Sequence, residues 1–407
     1  MTSPEPTAPA TSTTPRRNRR WVLPTVAALV VTGGIGYGAM QAGANSGLEP
    51  KTAEQILTGM QAAEIKPLAG TVVATADLGL PAIPGAADSP ELMSLVSGSH
   101  TVRVWYGGPE QVRIAKLGGA GETNVIRNGK DAWIWSSTEK KAVHHTVPTG
   151  AAHGTTGTKD PGAAPSGMPT TPQEASQEIL SHLSEDSTVS TTSNSTVAGR
   201  DAYELVITPK QKNTLVKDVR LAVDGETMMP LRVQVYSTKL NAPAYEIGFT
   251  SLDLGPVEDR MFTFSPPSGT TVEEAGAHAS GDDKGHGAAK SGEVHKKSEA
   301  HKKGEAGSGM TSKVVGEGWE RVYVASTPAG ALEKAAQSGS ETSDGPHGGG
   351  GIDPAGILAA LPERSGSWGK GRVLDGTLFS AVLADDGRVA IGAVGVDQLT
   401  AALGQGR

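Results

Sequence analysis

Residues that could do chemistry are present in the chain, but not at the spacings that chemistry needs. His144 and His145 adjoin in a segment with strand-like alternation, so their imidazoles face opposite sides and cannot share one metal ion. His278, His286, His295 and His301 are spread among lysines, whose charge repels a cation. Asp282-Asp283 and Asp385-Asp386 lack the alternate spacing of a calcium loop. No glycine-rich stretch has the Gly-x-x-x-x-Gly-Lys-Ser/Thr pattern of a phosphate loop, and no Gly-x-Ser-x-Gly elbow follows a strand. With no cysteine, disulfides, zinc thiolates, cysteine nucleophiles and a lipidated N-terminal cysteine are excluded. The reading is of a protein that is not an enzyme and calls for no metal and no cofactor.

What the residues do offer is an apolar surface. Val104, Trp105, Ile114, Trp133, Trp135, Tyr203, Phe249 and Phe262 all fall in segments with strand character and are the candidates for lining a cavity for a greasy ligand. Ordinary core under two helices is the competing reading of the same residues. Trp133 and Trp135 stand two apart, so both indoles share a face, with Ile134 on the other. A strand with large apolar groups on both sides is covered on both sides. Arg103 and Arg113 on neighbouring strands either orient a polar headgroup or edge the sheet.

The elements that would position these residues are mostly strands. Thr52-Ala53-Glu54-Gln55 is a capping box opening a short helix with Ile56, Leu57 and Met60 on one stripe. A strand from Leu68 to Leu80 follows, then a Pro-rich loop from Pro81 to Pro90 that is a lid candidate. Thr101–Tyr106, Gln111–Leu117, Glu122–Arg127, Asp131–Ser136 and Ala142–Val147 complete six consecutive antiparallel strands, with Asn128-Gly129 as a type I′ turn. Residues 148–171 are a Gly/Thr/Pro-rich insertion. A second capping box, Thr171-Pro172-Gln173-Glu174, starts a helix carrying Ile179, Leu180 and Leu183. Strands resume at Thr188–Val197, Asp201–Thr208, Val216–Asp224, Leu231–Ser237, Ala244–Leu252 and Met261–Phe264, with turns at Gly199-Arg200 and Asp224-Gly225. Residues 274–312 have almost no large apolar side chain and read as a disordered linker. Beyond it, 313–404 is a compact α+β unit: strands Lys313–Ala325, Arg372–Leu383 and Arg388–Val394, short helices at Ala329–Gln337 and Pro354–Leu361, and a terminal helix Val396–Leu403.

The N-terminus sets the compartment. Residues 1–20 are a disordered basic tail, and the uncharged stretch from Trp21 holds an apolar centre long enough to span a bilayer, a transmembrane helix over 21–42. Arg16, Arg17, Arg19 and Arg20 against Glu5 give the tail +3, which leaves −10 of the net −7 to the rest. Arginines before the span place the tail in the cytoplasm and the body outside it. The acidic body argues against a nucleic-acid partner. The length of the run favours a retained single-pass anchor; cleavage after Ala42-Gly43-Ala44 would instead release a secreted protein.

The order of several segments resembles LolA/LolB-type lipoprotein carriers and RseB-type proteins. They are Thr101-Val102-Arg103-Val104-Trp105-Tyr106, Ile126-Arg127-Asn128-Gly129-Lys130-Asp131-Ala132-Trp133-Ile134-Trp135, Val197-Ala198-Gly199-Arg200-Asp201-Ala202-Tyr203-Glu204-Leu205, Leu221-Ala222-Val223-Asp224, Met229-Pro230-Leu231-Arg232-Val233 and Phe262-Thr263-Phe264-Ser265-Pro266-Pro267-Ser268-Gly269. The resemblance covers roughly residues 50–273. It implies an α+β fold built on an incomplete antiparallel β-barrel, a LolA-like half-barrel covered by short helices, that binds an acyl-chain lipid or lipoprotein. The unit at 313–404 resembles in placement the second domain of RseB-type regulators, which implies an alternative role as a sensor with a membrane protein partner.

Overall fold

Leu68–Asp77 is a strand rich in small and β-branched residues with both edges paired, and the larger sheet is built outward from it as β1. The computed structural model describes residues 47–80, 97–118, 121–147, 169–181, 186–192, 194–275, 311–326 and 360–405. Outside these residues lie the expected membrane span with its cleavage site, the loop Pro81–Pro90, the insertion up to 168 and nearly all of the linker. The helix expected at Ala329–Gln337 and all but the end of the one at Pro354–Leu361 lie outside them as well. No helix among the described residues is long and apolar enough to cross a membrane.

On one side of β1 run β2 (Ser97–Gly108), β3 (Gln111–Leu117), β4 (Glu122–Asn128), β5 (Asp131–Ser136) and β6 (Lys141–Thr146), each antiparallel to the last. On the other side β12 (Pro243–Leu254) pairs with β1, followed by β11 (Pro230–Ser237), β10 (Val216–Asp224) and β9 (Arg200–Pro209). Two short strands, β7 (Ser187–Thr191) and β8 (Ser195–Val197), pair with successive halves of β9. The thirteenth, β13 (Thr271–Glu274), joins β6 in parallel. The fold is thus mostly β, and its large sheet is antiparallel but for that one pair and is not closed. β8 lies against β12 although β9, β10 and β11 separate them in the sheet, so the sheet is rolled.

Directly opposed residues share a face. Leu68, Val72 and Ala74 of β1 thereby share one with Val102 and Val104 of β2, Ile247 and Phe249 of β12, Val233 of β11, Leu221 of β10, and Leu205 and Ile207 of β9. This is the face on which α1 (Ala53–Ala62) and α2 (Pro172–Ser181) pack, burying Ile56 and Ala175 in the same cluster. The first capping box is present as expected, with Thr52 N–H donating to Gln55 Oε1 (2.8 Å) and Gln55 N–H to Thr52 Oγ1 (3.2 Å). In the second, Glu174 N–H donates to Thr171 Oγ1, but the Glu174 carboxylate reaches one residue further back, to the N–H and hydroxyl of Thr170.

Several expected strands are divided or displaced. Thr188–Val197 is two strands, because β7 follows the far half of β9 and β8 forms a hairpin with the near half. That hairpin turns at Ala198-Gly199, both at positive φ (51° and 77°), one residue before the expected Gly199-Arg200. The β4–β5 loop is likewise Gly129-Lys130, with glycine alone at positive φ (63°), the pattern of a II′ turn and not the I′ turn expected at Asn128-Gly129. Met261–Phe264 is no strand: a 3-10 turn occupies Asp259–Met261, and Phe262 N–H closes on Asp259 O (3.0 Å). Glu274, assigned to the linker, ends β13 instead.

The C-terminal sheet has the order β14 (Thr311–Val315), β15 (Val322–Ser326), β19 (Arg388–Gly392), β18 (Ser380–Ala384), β17 (Gly369–Asp375) and β16 (Glu363–Gly366), with α3 (Val396–Gly404) on one side. The run expected as one strand at Lys313–Ala325 breaks at a 3-10 turn, Gly318–Glu320, flanked by Gly316 and Gly318 at positive φ (85° and 53°). Arg372–Leu383 breaks at Gly376–Phe379, which leaves this sheet to meet the larger one. There Thr377 N–H donates to Leu78 O (2.9 Å), its hydroxyl to Asp77 O (2.7 Å), and the buried Ser237 hydroxyl donates to Thr377 O (2.6 Å). Trp319 Nε1 donates to Ser187 Oγ (2.8 Å), and Leu215 N–H to Ala393 O (2.8 Å). All these contacts fall at the same end of the larger sheet.

The turn after β10 depends on one buried carboxylate. Asp224, 1% exposed, accepts from Glu226 N–H (3.1 Å), Thr227 N–H (2.8 Å) and the Thr227 hydroxyl (2.8 Å), and the Arg200 guanidinium bridges its two oxygens. Burial alone would raise its pKa; Arg200 and the Thr227 donors outweigh that and hold it below the usual carboxylate range. Its contribution is therefore complete above about pH 4 and is lost as pH falls through the lowered pKa. Asp224→Ala should cost about 3 kcal/mol in urea unfolding at neutral pH, and the cost should shrink in acid.

Candidate functional site

The sheet register divides the eight sequence candidates between two surfaces. Val104, Ile114, Tyr203 and Phe249 lie on the face that carries α1 and α2. Trp105, Trp133 and Trp135 lie on the other, since Trp105 opposes Arg113, Arg113 opposes Ile126, and Ile126 opposes Trp133. Phe262 sits over Gly107, where an added Cβ would stand 3.0 Å from its ring. The structure does not bring the eight together.

The indoles are covered by the protein itself. After β12 the chain returns across the sheet as a strap, Asp259–Glu274, that ends in β13. Arg113 Nη1 donates to Met261 O (3.3 Å) and Gln111 Nε2 to Asp259 Oδ1 (3.3 Å), fixing the near end beside Phe262, which is 1% exposed. Phe264 then lies on both indoles, 5.4 Å from Trp133 and 6.1 Å from Trp135, in tilted contacts that suit aromatic quadrupoles. Arg113, on a strand paired along both edges, is placed over Trp105 at 5.4 Å and donates through Nε to the buried Asn124 (3.0 Å), so it does not edge the sheet but anchors the strap. Trp135 Nε1 is buried without an acceptor among the described residues.

On the helix-bearing face the apolar surface continues past the helices. A straight cross-strand row runs from Leu252 through Gly70, Val104, Ile114, Val125 and Ile134 to Val143. Val104 is 7% exposed and Val125 43%. From β2 to β6 the row spans roughly 19 Å at the usual strand spacing. Lys116 and Lys141 belong to the row on one side of it, Arg127 and His145 to the row on the other. Sequence alternation alone missed this row, because Val125, Ile134 and Val143 became neighbours of Ile114 only through the register. Tyr203, also on this face, donates from its hydroxyl to Glu49 O (2.7 Å) and packs near Lys51, at the approach to α1. A separate depression of about 260 Å³ lies between β8 and strands β1, β11 and β12; its Arg232 and Glu246 already engage Glu204 and Gln234. Among the described residues no group of His, Asp and Glu could hold a metal ion.

Residues 88–273 match the profile of a family described as predicted periplasmic protein, DUF2092. No curated protein matches the chain. Among solved structures, the MucA/MucB complex of Pseudomonas aeruginosa matches with 17% identity over 86% of this chain and 96% of that one, at a TM-score of 0.37. A LolA superfamily protein from Nitrosomonas europaea matches with 12% identity over 53% and 99%, at 0.21. A putative outer membrane lipoprotein-sorting protein domain from Vibrio parahaemolyticus matches with 13% identity over 52% and 97%, also at 0.21. A LolA superfamily protein, the kind of protein that the sequence resembles, is thus among the solved structures matched.

Because Phe262 is fully buried and Phe264 only partly, the strap should be anchored chiefly by the former. Phe262→Ala should cost about 3 kcal/mol in urea unfolding. Phe264→Ala should cost less, but shift tryptophan emission to the red.

Proposed function

We propose that this is a membrane-anchored extracytoplasmic carrier that binds an acyl-chain lipid or lipoprotein on the helix-bearing face of its larger sheet. The observation that carries the reading is the row from Val104 to Val143, whose β-branched side chains lie beyond the helix-packed strands and stay partly open at Ile114, Val125 and Ile134. An extended apolar strip with Lys116 in the row beside it suits a chain-like, amphiphilic ligand with an acidic end. The periplasmic description of the family matching 88–273, and the arginines ahead of the apolar N-terminal run, support a body outside the cytoplasmic membrane. Val104, Ile114, Tyr203 and Phe249 remain the proposed ligand-facing residues, with Val125, Ile134 and Val143 added. Trp105, Trp133, Trp135 and Phe262 serve instead to seat the strap. Val125→Arg, at an exposed position that leaves the core alone, should lower uptake of a fluorescent fatty acid by the full chain about tenfold or more, with little change in stability. Unchanged uptake would reject this face as the site.

A second reading, in which the protein senses lipid and engages a membrane protein, is favoured by one feature of the C-terminal sheet. On its side away from α3, Val314 (55% exposed), Tyr323 (55%) and Ile391 lie directly opposite one another across three strands. Such a patch is typical of an interaction surface. Tyr323→Glu should abolish cross-linking to a membrane protein while fatty-acid uptake persists; cross-linking that survives the change would sink this reading.

A further inference from the structure

A four-residue strand that buries none of its side chains has little to hold it. β13 is such a strand: Thr271, Val272, Glu273 and Glu274 are all exposed. Its parallel ladder with β6 is bracketed by Thr271 N–H to Lys140 O and Ala275 N–H to His144 O, both 2.8 Å. Short, solvated ladders of this kind open at low free energy. Among the described residues its side-chain attachments are ionic, Lys141 Nζ to Glu273 at 3.0 Å and His144 Nδ1 to Glu274 at 2.9 Å. Only the second involves a base that titrates near neutrality.

His144 has a second carboxylate on its other nitrogen. Nε2 lies 3.0 Å from Asp131 of β5, and the ring is stacked on Trp133 at 4.3 Å between centroids. A neutral imidazole has one N–H and one lone pair, so it can donate to only one of these carboxylates and turns a lone pair toward the other. The imidazolium donates to both. Of the two contacts, the one to Asp131 sits within the six-residue pairing of β5 with β6, whereas the one to Glu274 is a main hold on β13.

We propose that His144 is a proton-operated latch: as the imidazolium it ties β13 to β5 and β6, and on deprotonation it lets β13 and the Phe264 end of the strap lift from Trp133 and Trp135, with Phe262 staying seated. The groups facing the ring are Asp131 and Trp133 from β5 and Glu274 from β13; on β6, Lys141 is engaged with Glu273 and His145 points to the opposite face. Partial burial disfavours the charged ring, but the hydrogen bonds and charges of Asp131 and Glu274 outweigh it, so the pKa of His144 is raised. The latch is therefore fully closed below the ordinary histidine pKa of about 6.5 and opens as pH rises through the raised value. Lifting the strap also returns the orphaned Trp135 N–H to water, which offsets part of the cost of opening. The device lies on the face away from α1 and α2, so it does not depend on what the apolar row binds.

Hydrogen exchange with mass spectrometry on the full chain tests this at about pH 5.5 and about pH 8.5, bracketing the titration of a histidine. With the intrinsic pH dependence of exchange divided out, protection of the peptide covering 268–275 should fall about tenfold or more in the wild type. His144→Gln should show low protection at both pH values, with peptides from β4 and β5 unaffected. Glu274→Gln, which leaves Asp131 and the β5–β6 pairing intact, should also lose the pH dependence. Protection in the wild type that does not change with pH, or a pH dependence that survives in either variant, would overturn the proposal.

Discussion

Everything in the larger sheet depends on β1 being paired along both edges. β2 through β6 form one meander and β9 through β12 another, and among the described residues β1 is the strand through which the two are hydrogen-bonded into one sheet. Its small residues make this possible. Gly70 leaves room for the Phe249 ring, which an added Cβ would meet at 2.9 Å. The register with β12 shifts by one residue between Thr71 and Val72, which keeps Phe249 and Leu252 on the same face on either side of the irregularity. The C-terminal sheet takes hold of the same strand, through Thr377 on Asp77 and Leu78.

The two faces are completed in different ways. On one, the helices α1 and α2 cover the half built from β9 to β12 and β1, and the apolar row extends beyond them. On the other, β2 to β6 are covered by the strap with Phe262 and Phe264, while β9 to β12 carry a charged network in which Arg220 and Arg232 both face Glu204 and Gln234 donates to Glu246. The cover that the paired indoles require is thus supplied by the chain's own return segment, and the partly open apolar surface belongs to the side where Ile134 points.

Much of this was legible in the sequence wherever local rules act alone. Both helix starts, the order of the first six strands and the strands β10 to β12 follow from capping residues, alternation and turn chemistry. What was not legible comes from pairing at a distance. Alternation states which residues of one strand share a face, but only the register sets Trp105 with Trp133 and Ile114 with Val125. β13 has no alternation to read, because it buries nothing; its partner strand lies 130 residues earlier, as the separation of His144 and Glu274 shows. The breaks at Gly318–Glu320 and Gly376–Phe379 are places where the small sheet bends to contact the larger one, a tertiary demand that overrides strand propensity.

The dependence on β1 also sets an order of events for a chain made from its N-terminus. β1 and the meander β2–β6 can form as soon as their residues emerge, but the other edge of β1 must wait for β12, and its end for Thr377, 300 residues after Asp77. Until then an apolar strand with a row of unpaired N–H and C=O groups faces solvent. Loop closure over such separations is slow relative to local pairing. Until β12 arrives, the half-made protein is therefore a template for intermolecular strand addition along the open edge of β1.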